Sequence, residues 1–128
     1  MAPEVAEWFD IAETDLKVAR HLLDTFYPIP VEIVCYHCQQ CAEKATKAVI
    51  MSLGAPGGLP KLHDISFLLD QIKNQVDIDE KYYEYADILA PYGIAVRYPN
   101  DLGLEEHHAR SAVRYAEEYF QWAKSVIQ

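Results

Sequence analysis

The chain has 128 residues, half of them hydrophobic, and a formal net charge of −9. This length predicts one domain, over residues 1–128, that buries a single core without disulfides or a structural metal. No apolar run approaches the roughly 20 residues that span a bilayer, so no membrane association is expected. The negative charge repels nucleic acid at long range, and any RNA would therefore have to bind at a local basic patch.

The first helix is predicted to begin near Pro3, because the fixed φ of proline suits the first helical position. Acidic side chains in the following turns favour the positive end of the helix dipole. Apolar side chains then recur at helical spacing: Val5, Trp8, Phe9, Ala12, Leu16, Ala19, Leu23 and Phe26. Pro28 and Pro30 are expected to end this helix.

The second helix is predicted from about Val31 to Leu53, before a linker rich in glycine and proline at residues 54–60. Small side chains on one face would let another helix approach closely. The stripe consists of Val34, Cys38, Cys41, Ala45, Ala48 and Ser52.

The three cysteines, Cys35, Cys38 and Cys41, have the spacing that opens a ferredoxin cluster motif. The fourth cysteine of that motif is replaced by Ala45. In a continuous helix with about 100° per residue, Cys35 and Cys41 point about 120° apart, so the thiolates cannot converge. We therefore expect buried structural thiols, no metal and no cofactor. Clustered cysteines without a secretory signal indicate a cytoplasmic protein.

The sequence of the second half of the chain predicts two shorter helices, an irregular stretch and a long final helix. Asp64 and Asp79 are candidate N-caps for the shorter helices, which carry the apolar sets Ile65, Leu68, Leu69, Ile72, Val76 and Tyr82, Ala86, Leu89. Residues 91–101 have no helical pattern, and the last helix is predicted from about Leu104 to Ile127. No segment alternates with period two, so the fold class is all-α, an antiparallel up-and-down bundle of about four or five helices.

The last helix carries two apolar stripes on different faces. The first is an ordinary core stripe: Ala109, Ala112, Val113, Ala116, Phe120, Ala123 and Ile127. The second is largely aromatic: Tyr115, Tyr119, Trp122 and Val126. It indicates either a wide core or a contact surface for a second chain, and the latter predicts self-association.

Arg97 is the first candidate for a ligand contact, because it lies in the irregular stretch between two prolines. Tyr98 is available for stacking, and Asn100 and Asp101 can form hydrogen bonds with a base or ribose. The alternative is that Asn100 and Asp101 turn the chain while Arg97 pairs with an acid. His107 is a further candidate, if the chain brings it near Arg97.

A polar strip on the second helix consists of His37, Gln40, Glu43 and Lys44. It could line a groove beside the Arg97 stretch, with Lys44 as a ligand contact. The alternative is that it forms the edge of the buried face, its lysine in an ion pair.

Four segments in order resemble the HEPN domain family, the higher eukaryote and prokaryote nucleotide-binding domain: residues 8–16, residues 37–45, His63-Asp64-Ile65 with Leu68-Leu69, and Arg97-Tyr98-Pro99-Asn100. The resemblance covers nearly the whole chain. It implies an all-helical bundle that commonly forms homodimers. It also implies a minimal nucleotidyltransferase as a frequent partner, and many members are toxins of toxin–antitoxin pairs or ribonucleases.

The ribonuclease members of that family carry an arginine, usually a polar residue, then four to six residues and a histidine. Here Tyr98 and Pro99 follow Arg97, and nine residues separate Arg97 from His107. We therefore favour a nucleotide- or RNA-binding module, acting with a nucleotidyltransferase, over a metal-independent ribonuclease toxin, and lean against an enzyme. A remoter alternative is a metal phosphohydrolase, since its ligand order matches His37, His63-Asp64 and Asp101.

Overall fold

A computed structural model describes residues 1–54, 64–94 and 102–128 and confirms the all-α fold class. Along the chain the helices are α1 (Pro3–Thr25), α2 (Val31–Ser52), α3 (Ile65–Asp70), α4 (Glu80–Leu89), a 3-10 helix (Ala90–Ile94) and α5 (Glu106–Ile127). The predictions for the linker after Gly54, for His63 and for Arg97, Tyr98, Asn100 and Asp101 fall outside the described residues.

The long helices begin and end close to where the sequence predicts. Pro3 opens α1, and α2 begins at Val31, directly after Pro30. Both candidate N-caps are confirmed. The Asp64 carboxylate accepts a hydrogen bond from the amide of Phe67, and the Asp79 carboxylate accepts one from the amide of Lys81. These side chains satisfy amides that have no partner inside their helices.

Two predictions for the middle of the chain were wrong in detail. Helix α3 ends at Asp70, although apolar spacing predicted helix as far as Val76. The chain continues in tight turns, such as the bond from the Ile72 amide to the Leu69 carbonyl, and these turns still bury Ile72. Residues 91–94 are also not irregular, since they lie in the 3-10 helix. Pro91 lacks the amide that would continue α4, which favours this tighter turn.

The core forms where α5 packs against the hairpin of α1 and α2. These two helices are antiparallel, because Trp8 lies near Lys47 while Asp15 reaches Lys44 and His37. The side chains at the centre of the bundle are small and almost fully buried, including Ala12, Ala19, Ala45, Ala48, Ala112 and Ala116. Small residues let helix backbones approach closely, as the sequence pattern predicts.

The aromatic stripe of α5 packs inside its own chain. Tyr119 is fully buried, and its hydroxyl shares a hydrogen bond with that of Thr46. Helix α4 packs against two further rings, since Tyr82 stacks on Trp122 and Tyr85 stacks on Tyr115 at centroid distances of 5.0 and 4.5 Å. The stripe therefore contributes to a wide core, but Tyr115, Trp122 and Val126 stay partly accessible, and self-association stays a prediction.

The three cysteines are fully buried in an unbroken α2, which confirms their prediction as structural thiols. Burial raises the pKa of Cys35 to about 12 and also raises the pKa values of Cys38 and Cys41. All three thiols are therefore protonated at neutral pH and behave as small hydrophobic side chains. Within the described ranges, no group of three or more histidine, cysteine or acidic side chains has an arrangement that could hold a metal ion.

The helices in the described parts of the chain also lack the length and apolar character needed to cross a membrane.

Candidate functional site

A carboxylate from α1 organises the polar strip of α2. One oxygen of Asp15 accepts a hydrogen bond from Nδ1 of His37 at 2.9 Å, and the other accepts one from Nζ of Lys44 at 2.9 Å. His37 and Lys44 are seven residues apart, about two helical turns, so they project from the same face of α2. The Asp15 side chain is only 11% exposed, and those of His37 and Lys44 are 25% and 22% exposed. This cluster therefore joins the two helices through a nearly buried charge.

The environment of Asp15 keeps its carboxylate ionised. Burial by itself would raise the pKa of Asp15, but the hydrogen bonds from His37 and Lys44 and their charges lower it below its usual value. An ionised carboxylate can only accept, so Nδ1 of His37 carries the proton in this contact. The Nε2 atom of His37 is then the ring nitrogen left for a further partner.

A second polar group continues along the same side of α2. The amide of Gln40 donates to the side-chain oxygen of Gln39 at 2.6 Å, and the amide of Gln39 donates to Glu43 at 3.1 Å. Lys47 donates to the other oxygen of Glu43 at 3.2 Å. The ammonium of Lys47 also lies 5.6 Å from the ring centroid of Trp8 on α1, within the range of a cation–π contact. Buried polar side chains in this group therefore satisfy one another.

The 3-10 helix approaches α2 next to this group. A Cβ atom added at Gly93 would lie 3.1 Å from the side-chain amide carbon of Gln39, closer than ordinary van der Waals contact. The absence of a side chain at Gly93 thus lets the 3-10 helix cover Gln39, which is 2% exposed. Gly93 therefore packs against Gln39, whose amide group is hydrogen-bonded to Gln40 and Glu43 of the polar strip.

Two of the predicted ligand contacts lie within the described residues, and they pair with different acids. Lys44 is bound to Asp15, which agrees with the ion-pair alternative. His107 is in the first turn of α5, where its side chain is 68% exposed, its Nδ1 lies 3.5 Å from the Glu105 carboxylate and its ring lies against that of His108. These positions leave His107 open to solvent and Lys44 only partly accessible.

No functional role was predicted for Asp15, Gln39 or Lys47, and Trp8 was predicted only as part of the apolar face of α1. A signal was present for Asp15, because this acid lies beside Leu16 at the edge of the apolar face of α1. An acid at such a position needs a cationic partner when it is buried. The sequence contained no signal that showed which residues of α2 would supply it.

The features proposed for a metal phosphohydrolase have other roles where they are described. Asp64 caps α3, and His37 is bound to Asp15. The remaining two residues of that pattern, His63 and Asp101, lie outside the described residues.

Comparison with known proteins supports the resemblance seen in the sequence. The family model for the HEPN domain matches residues 5–126. The chain belongs to the HEPN domain family. A putative toxin of Methanocaldococcus jannaschii is 36% identical over 110 residues, which cover 85% of this chain and 61% of that protein. The HEPN chain described here therefore spans less than two thirds of the length of that relative.

Solved structures show the same fold as this HEPN chain. A protein of Thermus thermophilus has a TM-score of 0.85 and 23% identity, with 98% of this chain and 99% of that chain covered. An archaeal HEPN homologue has a TM-score of 0.75 and 27% identity, with coverage of 97% and 98%. An HEPN domain protein of Thermotoga maritima has a TM-score of 0.71 and 22% identity, with coverage of 94% and 97%.

Proposed function

We propose that this HEPN protein recognises a nucleotide or RNA within a system of the toxin–antitoxin type, with a minimal nucleotidyltransferase as its protein partner. The observation that carries the proposal is the 36% identity to a protein described as a putative toxin, over most of this chain. In this proposal Arg97, Tyr98, Asn100 and Asp101 contact the ligand, and His107 and Lys44 lie at the edges of the same surface.

The packing of the 3-10 helix supports this choice of residues. Gly93 in this helix lies against Gln39, which is hydrogen-bonded to Gln40 and Glu43 of the polar strip, and the segment that contains Arg97 comes next along the chain. Lys44 and Lys47 bring positive charge to a chain of net charge −9. Their pairing with Asp15 and Glu43 largely neutralises that charge, so affinity for phosphate would depend mainly on Arg97.

Binding without cleavage is the favoured activity. A guanidinium and an imidazole at the family spacing would assist the attack of a ribose 2′-hydroxyl on phosphorus. Nine residues separate Arg97 from His107, and the described contacts of His107 are with Glu105 and His108 at the surface. A metal-independent ribonuclease toxin remains the second candidate, because the relative is described as a putative toxin.

Incubation of labelled single-stranded RNA with the purified protein in EDTA is expected to leave the RNA intact. Fluorescence anisotropy of the same RNA should rise on binding, and Arg97→Ala should weaken that binding about tenfold through loss of a charge-assisted phosphate contact. Arg110→Ala is the matched control, because Arg110 is an exposed arginine that pairs with Glu106 at 3.8 Å. We expect this variant to bind within about twofold of the unaltered protein.

Two results would contradict the proposal. Cleavage in EDTA that disappears in Arg97→Ala or His107→Ala would replace the binding module by the ribonuclease alternative. Equal affinities of the Arg97→Ala and Arg110→Ala proteins for RNA would remove the ligand site from the Arg97 segment.

The proposal includes a cytoplasmic homodimer built from one domain per chain. Family resemblance supports the dimer, whereas the aromatic stripe of α5 supports it less than its pattern suggests, because Tyr82 and Tyr85 of α4 stack on Trp122 and Tyr115. Sedimentation equilibrium at micromolar concentration is expected to give twice the chain mass of 14.6 kDa. A single species of the chain mass across that concentration range would exclude the dimer.

A further inference from the structure

A shallow groove of about 610 Å³ lies on the side of the bundle where α4 meets α5. Its lining includes Tyr82 of α4 and, on α5, Arg114, Glu117, Glu118, Gln121 and Trp122. None of these residues belongs to the polar strip of α2 or to the Arg97 segment. The groove is therefore a separate surface, and its chemistry does not depend on the proposed nucleotide or RNA binding.

The floor of the groove is aromatic and only partly covered. Tyr82 and Trp122 stack with their ring planes 24° apart, and both remain partly accessible. Behind them Tyr119 is fully buried, so the partly exposed pair forms the outer layer of the wide core. The parts of these two rings that stay accessible offer aromatic surface to a ligand.

The electrostatics of the floor favour a positive charge. The ammonium of Lys81 already lies 5.2 Å from the centroid of Tyr82, and Tyr82, Glu118 and Asp79 raise the pKa of Lys81. Glu118 accepts a hydrogen bond from the hydroxyl of Tyr85 at 3.3 Å, whereas Glu117 pairs with Arg20 at 2.8 Å. Glu118 forms no ion-pair contact among the described residues, although its charge raises the pKa of nearby Lys81, and it lies one turn from Trp122.

The other end of the groove carries the opposite charge. Arg114 is exposed, its guanidinium lies 5.1 Å from the centroid of the Tyr115 ring, and it has no carboxylate partner among the described residues. Arg114 is one turn from Glu118 and about two turns from Trp122, which corresponds to about 6 to 12 Å along the helix axis. A fully extended chain covers this distance in about two to four residues.

We propose that this groove binds a segment of a partner protein that carries an arginine and, about three residues away, an acidic side chain. The guanidinium packs against the accessible side of the stacked Tyr82–Trp122 pair and forms hydrogen bonds with Glu118, while the acid of the partner pairs with Arg114. Arginine fits this end better than lysine does, because a planar guanidinium stacks on a ring and binds a carboxylate in the same pose.

Trp122 itself provides the reporter for a test. The chain has two tryptophans, so the Trp8→Phe protein carries Trp122 as its single tryptophan. The probe is the blocked peptide acetyl-Gly-Arg-Gly-Gly-Glu-Gly-amide. We expect it to change the Trp122 emission saturably, and the same peptide with lysine in place of arginine should bind at least about threefold more weakly. Calorimetry of the unaltered protein with both peptides checks that the Trp8→Phe change has no influence.

Glu118→Gln should lower the affinity for the arginine peptide at least about fivefold, because a charge-assisted hydrogen bond is lost. Glu7→Gln is the matched control, since it makes the same change in net charge at an exposed position of α1. Arg114→Gln should lower the affinity for the peptide that contains glutamate. The affinity for a peptide with glutamine in place of that glutamate should stay unchanged.

Three outcomes would overturn the proposal. The first is an emission that does not saturate with the arginine peptide. The second is an equal loss of affinity from Glu118→Gln and Glu7→Gln, which would show that the Glu118 carboxylate does not contact the peptide. The third is binding of agmatine, a free guanidinium compound, as tightly as the peptide, which would make the groove a site for small cations.

Discussion

Replacement of Asp15 by alanine is expected to lower the free energy of unfolding by about 2 kcal/mol at pH 7. The carboxylate is nearly buried and holds His37 and Lys44 from the neighbouring helix at 2.9 Å each. Its removal leaves two donors of α2 without their acceptor. Because both donors are about a quarter exposed, water satisfies them in part, and the loss is smaller than for a fully buried ion pair.

The pH dependence of this loss has a definite sign. The pKa of Asp15 in the folded chain is lower than its ordinary value of 3.8, so the unfolded chain takes up a proton first. The stability that Asp15 contributes is therefore fully present well above pH 3.8 and disappears as the pH falls through the folded pKa. The difference between the unaltered protein and Asp15→Ala should accordingly be constant near neutral pH and shrink below about pH 4.

Urea denaturation at a series of pH values measures both effects. Asp10→Ala is the control, because Asp10 is an exposed acid on the same helix, and its effect should stay within about 0.5 kcal/mol. Equal stability of the Asp15→Ala and Asp10→Ala proteins at pH 7 would show that the cluster does not hold α1 to α2. If the difference in the free energy of unfolding between the unaltered protein and Asp15→Ala persisted unchanged down to pH 2, the charge of Asp15 would not be its cause.

Ala45→Leu is expected to cost about 3 kcal/mol, the largest effect of a single change that we expect in the core. Ala45 is fully buried near the middle of α2, and the side chains around the helix crossings are mostly small. Leucine adds three carbon atoms where the packed helices leave no room, so the helices must separate or adopt strained rotamers. Alanine and leucine have similar helix propensities, so the cost reports packing rather than local structure.

Ala6→Leu provides the matched control, because Ala6 is on α1 and is only partly buried. Its larger side chain can extend toward solvent, and we expect a change within about 0.5 kcal/mol. Guanidinium denaturation of both variants, followed by circular dichroism, measures the difference. If Ala45→Leu were as stable as Ala6→Leu, close approach of the helices at the small-residue stripe would be ruled out.

Much of the fold could be predicted from local signals. Pro3, the prolines after Thr25 and the apolar spacing between them set the bounds of α1. Asp64 and Asp79 cap helices as predicted, because capping depends on bonds across three or four neighbouring residues. The length of α3 was overestimated, since the turns after Asp70 bury Ile72 at a spacing that also suits a helix.

The candidate site was less predictable. The strip with His37 and Lys44 was visible at helical spacing, but its partner Asp15 is 22 and 29 residues away along the chain from these two side chains. Similarly, the two stripes of α5 were visible, whereas the covering of Tyr115 and Trp122 by α4 was not. The proposed ligand contacts at Arg97, Tyr98, Asn100 and Asp101 stay predictions.

By itself, the amino-acid sequence determined the helical class, the bounds of the long helices, the burial of the cysteines and the HEPN family. These properties follow from the spacing of residues within a few helical turns and from the composition of the whole chain. The tertiary structure alone decided that Asp15 binds α2, that α4 packs against the second stripe of α5 and that a groove remains beside Trp122. The physical reason is that an amphipathic face specifies that it will be buried, whereas its partner depends on how separate helices pack.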